Sequence, residues 1–139
     1  MGKKKNVTEY DPTLVTVIVD GLIITGFAPD SVVTAVHNED AATLTVGVQG
    51  DGCYNKNANN SGIVTLTLLH TSPSLSKLRD LAARKKQIRV AVADANIDGG
   101  FGLNEEHCMV QKVPETPRGK EAGSVSVPII VPDMNLRTR

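Results

Sequence analysis

Apolar and polar residues alternate with a period of two over much of the chain, which predicts strands rather than helices. Leu14–Val19 (LVTVIV) and Leu22–Thr25 (LIIT) are β-branched runs separated by Asp20-Gly21. That spacing predicts a hairpin with a type I′ turn, because both central residues must adopt positive φ. Val32–His37 reads as a further strand. Thr43–Val48 sets Leu44, Val46 and Val48 against Thr43, Thr45 and Gly47. Ile63–Leu69 repeats the pattern, and Ile88–Ala93 sets Ile88, Val90 and Val92 against Arg89, Ala91 and Ala93. Cys108–Val113 reads as the partner of that strand. Ser124–Val131 puts Val125, Val127, Ile129 and Val131 on one face, with Pro128 marking an edge strand or a bulge.

One segment changes period. Leu75, Leu78, Leu81 and Ala82 recur at helical spacing after Ser72-Pro73, a capping serine followed by a proline suited to the first helical position. Arg84-Lys85-Lys86 closes that helix where its dipole favours cations. Between strands, Gln49–Gly62 (QGDGCYNKNANNSG) reads as a long polar loop, and loops of that length usually have a function. Residues 1–13 begin with Lys3-Lys4-Lys5, lack periodicity and are expected to be a flexible N-terminal arm. Residues 14–139 are then one domain. The predicted fold class is mainly β: an antiparallel β-sandwich or barrel carrying one α-helix.

Composition narrows the function. The chain has 139 residues, 15 basic and 15 acidic, so its net charge is near zero. That balance argues against a dedicated nucleic-acid or membrane-surface binder. Aromatics are 3% of residues, too few for the stacking platforms of a single-strand or sugar binder. The longest apolar stretch falls short of the ~20 residues of a membrane-spanning helix, and no secretory signal pattern is present. Cys53 and Cys108 are expected to be free thiols.

Candidate chemistry is sparse. Asp94, Asn96 and Asp98, with Gly99 and then Glu105, satisfy the spacing of a calcium-binding EF-hand loop, with oxygen ligands at its positions 1, 3, 5 and 12. The strand-like flanks argue for a polar hairpin loop instead, so the four residues are a weak metal candidate. His107 and Cys108 are adjacent and would point to opposite faces of a strand. His37 and His70 read as satisfied structural histidines. No nucleophile elbow, phosphate loop or zinc motif is present. No enzymatic activity and no cofactor are expected.

The ordered set of elements resembles the tail tube proteins of contractile-tailed bacteriophages. The matching pieces are the turn at Asp20-Gly21, the strand Thr43–Val48 running into Gln49-Gly-Asp-Gly52, and Ser61-Gly-Ile-Val-Thr-Leu-Thr-Leu68. They continue with the helix start His70-Thr-Ser-Pro-Ser-Leu-Ser-Lys-Leu78, then Met109-Val-Gln-Lys-Val-Pro114, and Gly123-Ser-Val-Ser-Val127. The resemblance implies a structural subunit that joins in hexameric rings and stacks into a hollow tube inside a sheath. Its partners would be further copies of itself, tail sheath and baseplate proteins, with DNA passing through without specific binding and no membrane involved. The location implied is the virion tail, assembled in the bacterial host cytoplasm. A tube subunit of a phage-tail-like bacteriocin and a baseplate paralogue are alternatives within that class. A surface-binding β-sandwich, calcium-dependent through residues 94–105, and a small hydrolase with a distributed site are alternatives of other classes. Within the tube reading, the polar loop is expected to contact the next ring through Asp51, Tyr54, Lys56 and Asn59, with Tyr54 as a rigid contact and Lys56 as a charge partner.

Overall fold

A computed structural model describes residues 14–29, 33–96, 101–112 and 123–138. The expected N-terminal arm, the connection at 114–123 except its last residue, and Asp98 lie outside the described residues. Among the described residues ten strands and one helix follow one another: β1 (Val15–Val19), β2 (Leu22–Ile23), β3 (Val33–His37), β4 (Ala42–Val46), β5 (Gly52–Lys56) and β6 (Gly62–Leu69), then α1 (Ser74–Arg84), then β7 (Ile88–Asp94), β8 (Phe101–Val110), β9 (Ser124–Val131) and β10 (Arg137–Thr138).

The main sheet runs β2-β1-β7-β8-β9-β6-β3, with β10 also paired to β8, and its neighbouring strands are antiparallel. Among the described residues it does not close into a barrel. β8 is the fold line: its first part pairs with β7, and its last residues pair with β9 through Met109↔Ile130 and Val110↔Ile129. At the bend β8 carries one extra residue, since Ile88 faces Cys108 while Val90 faces Glu105, and His107 takes φ 63°. Such a bulge re-aims a strand and lets the sheet double over in a sandwich-like way. The two halves and α1 enclose an aliphatic core that includes Val17, Val64, Leu66, Val90, Val127 and Ile129. Leu75, Leu78 and Leu81 complete it from the helix, as their spacing predicts.

Several local expectations hold. Asp20 (φ 50°) and Gly21 (φ 80°) make the predicted turn, with Val19↔Leu22 and Ile18↔Ile23 closing the hairpin. Pro73, expected at the first helical position, stands instead at the helix N-cap with φ −65° and contributes no side-chain cap bond. The capping is done by Ser72, whose Oγ accepts from the Ser74 N–H at 3.3 Å. At the other end Lys85 is left-handed (φ 54°), and its N–H and that of Lys86 donate to the Ala82 and Leu81 carbonyls. That pair of bonds is a Schellman motif.

Three expectations are corrected. Gln49–Gly62 is not a loop: it contains β5, which pairs with β4 in a separate two-stranded sheet. The partner of β7 begins at Phe101 and ends at Val110, instead of running Cys108–Val113. β9 is interior, between β8 and β6, despite Pro128. The Gln111 N–H donates to the Pro128 carbonyl at 2.9 Å, so Pro128 turns its backbone toward the β8 side. Its missing N–H therefore falls one pair beyond the last β8–β9 ladder pair, and the β6 ladder loses nothing.

Candidate assembly surfaces

β4 and β5 form an arm. Its two strands pair from Ala42↔Lys56 at the root to Val46↔Gly52 at the tip, and every residue of both is exposed. Residues directly opposite in an antiparallel pair share a face. One face carries Leu44, Val46 and Tyr54; the other carries Thr43, Thr45, Cys53 and Asn55. The Asn55 Nδ2 donates to Thr45 Oγ1 at 2.8 Å on the polar face. The arm is thus amphipathic with its apolar side in water: Leu44 is 53% exposed, Val46 60% and Tyr54 74%. A two-stranded hairpin of this kind is marginal by itself and gains stability from whatever covers its apolar side.

The asparagines of this expected polar loop lock the arm's root. Asn57 Nδ2 donates to Glu39 Oε2 (2.7 Å) and to the Asp40 carbonyl (3.1 Å). Asn59 Oδ1 accepts from the Ser61 N–H and hydroxyl. Asn60 Nδ2 donates to Asp133 Oδ1 and Asn135 Oδ1, while the Met134 N–H donates to the Asn60 carbonyl. His37 Nε2 meets the Met134 carbonyl at 2.9 Å, the satisfied structural role expected for it. Of the four predicted interface residues, Tyr54 and Lys56 lie on the arm's apolar side. Asp51 lies in the tip turn, where its carbonyl accepts from the Gly47 N–H, and Asn59 lies at the root. Leu44 and Val46 were missed as candidates, although their alternation against Thr43 and Thr45 carried the signal.

The outer face of β3, β6 and β9 is sorted by chemistry. Val36, Ile63, Ile130 and Met109 form an apolar row crossing four strands, because Val36 faces Ile63, Ile63 faces Ile130 and Ile130 faces Met109. Thr34, Thr65, Thr67 and Ser126 form a hydroxyl surface further along the same face. Two to three residues along the chain from Ile130 and Met109, a groove is lined by residues that include Glu105, Glu106, Asp133, Arg89 and His107, three carboxylates to one guanidinium. Arg89 is ion-paired with Glu106.

Among the described residues of the calcium pattern, Asp94 and Glu105 do not converge. Asp94 Oδ1 is occupied by the Asn96 backbone N–H (2.9 Å) and Nδ2 (2.6 Å) in a buried turn. Glu105 lies within β8 opposite Val90, so four residues of strand, about 13 Å, separate it from Asp94 along the ladder. Among the described residues no three His, Cys, Asp or Glu side chains are grouped to hold a metal. Cys108 is fully buried, and burial pushes its thiol up to about 11. His107 is exposed on the bulge beside Gln87, so the two neighbours do separate.

A family model described as bacteriophage PhiTE tail tube protein matches residues 23–97, more than half the chain and including the arm and the helix. The chain belongs to that tail tube family. Membership carries a structural, non-enzymatic role in the tail tube of a virion. No curated protein matches the sequence. Solved structures share the fold at low identity. The anti-feeding prophage tube-terminating cap aligns over 99% of this chain and 97% of its own at 10% identity and TM-score 0.64. The sheath/tube terminator of an extracellular contractile injection system aligns over 94% and 97% at 11% identity and TM-score 0.65. A chain of the sheath–tube complex of such a system, in its extended state, aligns over 94% and 93% at 11% identity and TM-score 0.64.

Proposed function

We propose that the chain forms hexameric rings that stack into a hollow tail tube, with the β4–β5 arm as the contact between stacked rings. The observation that carries this reading is the arm itself. It projects an apolar face into water while its root is fixed by asparagine bonds, as suits an element completed by a neighbour. Tyr54 and Lys56 remain the contacts assigned to it, now joined by Leu44 and Val46. The hydroxyl surface of Thr65, Thr67 and Ser126 suits a water-filled lumen, with Lys112 beside Thr65 and Ser126 as a cation at its margin. A surrounding sheath and a terminating baseplate are the partners this reading implies.

Electron microscopy of the purified protein in negative stain tests it. Six-fold ring views and hollow tubes are expected. A protein that stays monomeric at all concentrations and salts contradicts the reading. Discrete rings that never stack would instead favour a tube-terminating or baseplate role.

A further inference from the structure

The arm's apolar face needs a surface to land on, and the chain carries a second exposed apolar surface. The geometry points to the row Val36–Ile63–Ile130–Met109 of a second copy as the receptor for Leu44, Val46 and Tyr54, with Lys56 entering the acidic groove close along the chain to that row. This inference rests on the arm being the contact between copies and names where that contact is made.

Shape supports the match. The row crosses four strands on a sheet face, with Val36 59% and Ile130 37% exposed. The arm brings a narrow ribbon with three apolar side chains on one side. A ribbon laid across such a row desolvates both, which neither surface achieves within its own subunit.

Charge supports it independently. Lys56 shares the arm's apolar face with Tyr54, opposite Ala42 at the root. The groove's lining lies close along the chain to the row's β9 and β8 residues: Pro132 and Asp133 follow Ile130 by two and three residues, and His107 and Glu106 precede Met109 by two and three. Its three carboxylates outnumber its one guanidinium, so it favours a cation. An apolar anchor with a cation at its margin on one surface therefore meets an apolar row with carboxylates close along the chain on the other.

The contact is heterologous, arm to row, and leaves a free arm at one end of a stack and a free row at the other. Such an arrangement propagates where its rotation does not close it into a ring.

Two full-length variants test the assignment by sedimentation velocity. One carries Leu44→Glu with Val46→Glu, the other Val36→Glu with Ile130→Glu; all four positions are exposed. Each variant alone is expected to lose stacking, by more than about tenfold in association. Mixed together, the intact arm of the second should engage the intact row of the first. The mixture should give complexes of about twice the mass of either alone that do not grow, since no third copy can be added. If the arm variant assembles like the unmodified protein, both the arm's role and its landing site are wrong. If the arm variant fails but the row variant assembles normally, the arm acts elsewhere and this inference falls alone. Absence of complexes in the mixture also overturns it. Should the double row variant fold poorly by circular dichroism, Val36→Glu alone, at the more exposed position, replaces it with the same expectations.

Discussion

Ser72 Oγ donates a hydrogen bond to the Thr25 carbonyl across 2.5 Å, tying the segment after β2 to the start of α1. The bond is returned: the Thr25 N–H donates to Ser74 Oγ at 3.1 Å, and Ser72 Oγ accepts from the Ser74 N–H. This segment also links the sheet's two ends. The Ile24 N–H bonds to Val17 of β1, while the Gly26 carbonyl accepts from Leu69 of β6. One short stretch thus holds the helix and both halves of the sheet.

Ser72→Ala removes a buried hydroxyl and strands a carbonyl and a helix N-terminal N–H. A loss of about 1–3 kcal/mol is expected, read from urea unfolding. Gly26→Ala should cost as much or more. Gly26 has φ +78°, and an added Cβ would sit 2.8 Å from Ser72 Cβ. A melting curve unchanged in both variants would remove the latch from the account.

Thiol chemistry should separate the two cysteines. Cys53 is exposed and should react with a thiol reagent in the folded protein, while Cys108 should react only after unfolding. The Cys108 thiol is raised from 9.0 to about 11, chiefly by burial. Its contribution to stability is therefore fully present below pH 9 and is lost as pH rises from 9 through 11, where the unfolded thiol ionises and the buried one resists. The loss is on the order of 2–3 kcal/mol at completion, and Cys108→Ala should flatten stability over that window. Two fast-reacting thiols in the folded chain would contradict this.

Calcium should not bind tightly at residues 94–105. Titration calorimetry in chelator-stripped buffer is expected to give no one-to-one isotherm at micromolar affinity, because Glu105 lies in a strand remote from Asp94. A micromolar isotherm abolished by Asp94→Asn would reverse that conclusion.

The elements legible in the sequence are those whose burial is one-sided. Val64, Leu66 and Leu68 are buried and Thr65 and Thr67 are not, so the alternation in β6 is a direct imprint of the core. The Asp20-Gly21 turn and the leucine face of α1 are legible for equally local reasons. β5 was hidden because both faces of Gly52–Lys56 meet solvent, leaving no burial pattern to imprint on GCYNK. Its asparagine-rich flank reads as loop chemistry, yet those side chains bond the arm's root. The first half of β8 was hidden likewise by its polar stretch Asn104–His107, and its bulge broke the register from which a partner for β7 could be read. Pro128 misled because its effect depends on which neighbour its nitrogen faces, a fact of register. The apolar row on the outer face is invisible to any single strand, since each contributes one residue to it.

Hydrogen exchange over residues 42–56, measured on free subunits and on assembled tubes, tests the central claim most directly. The free arm has no packed face, so its amides should exchange nearly as fast as those of an isolated hairpin. In tubes the same amides should slow by about a hundredfold or more as the Leu44–Val46–Tyr54 face is covered, with Val36 and Ile130 slowing alongside. An arm that exchanges equally fast in both states, in a sample that is fully tubular by microscopy, would contradict the account.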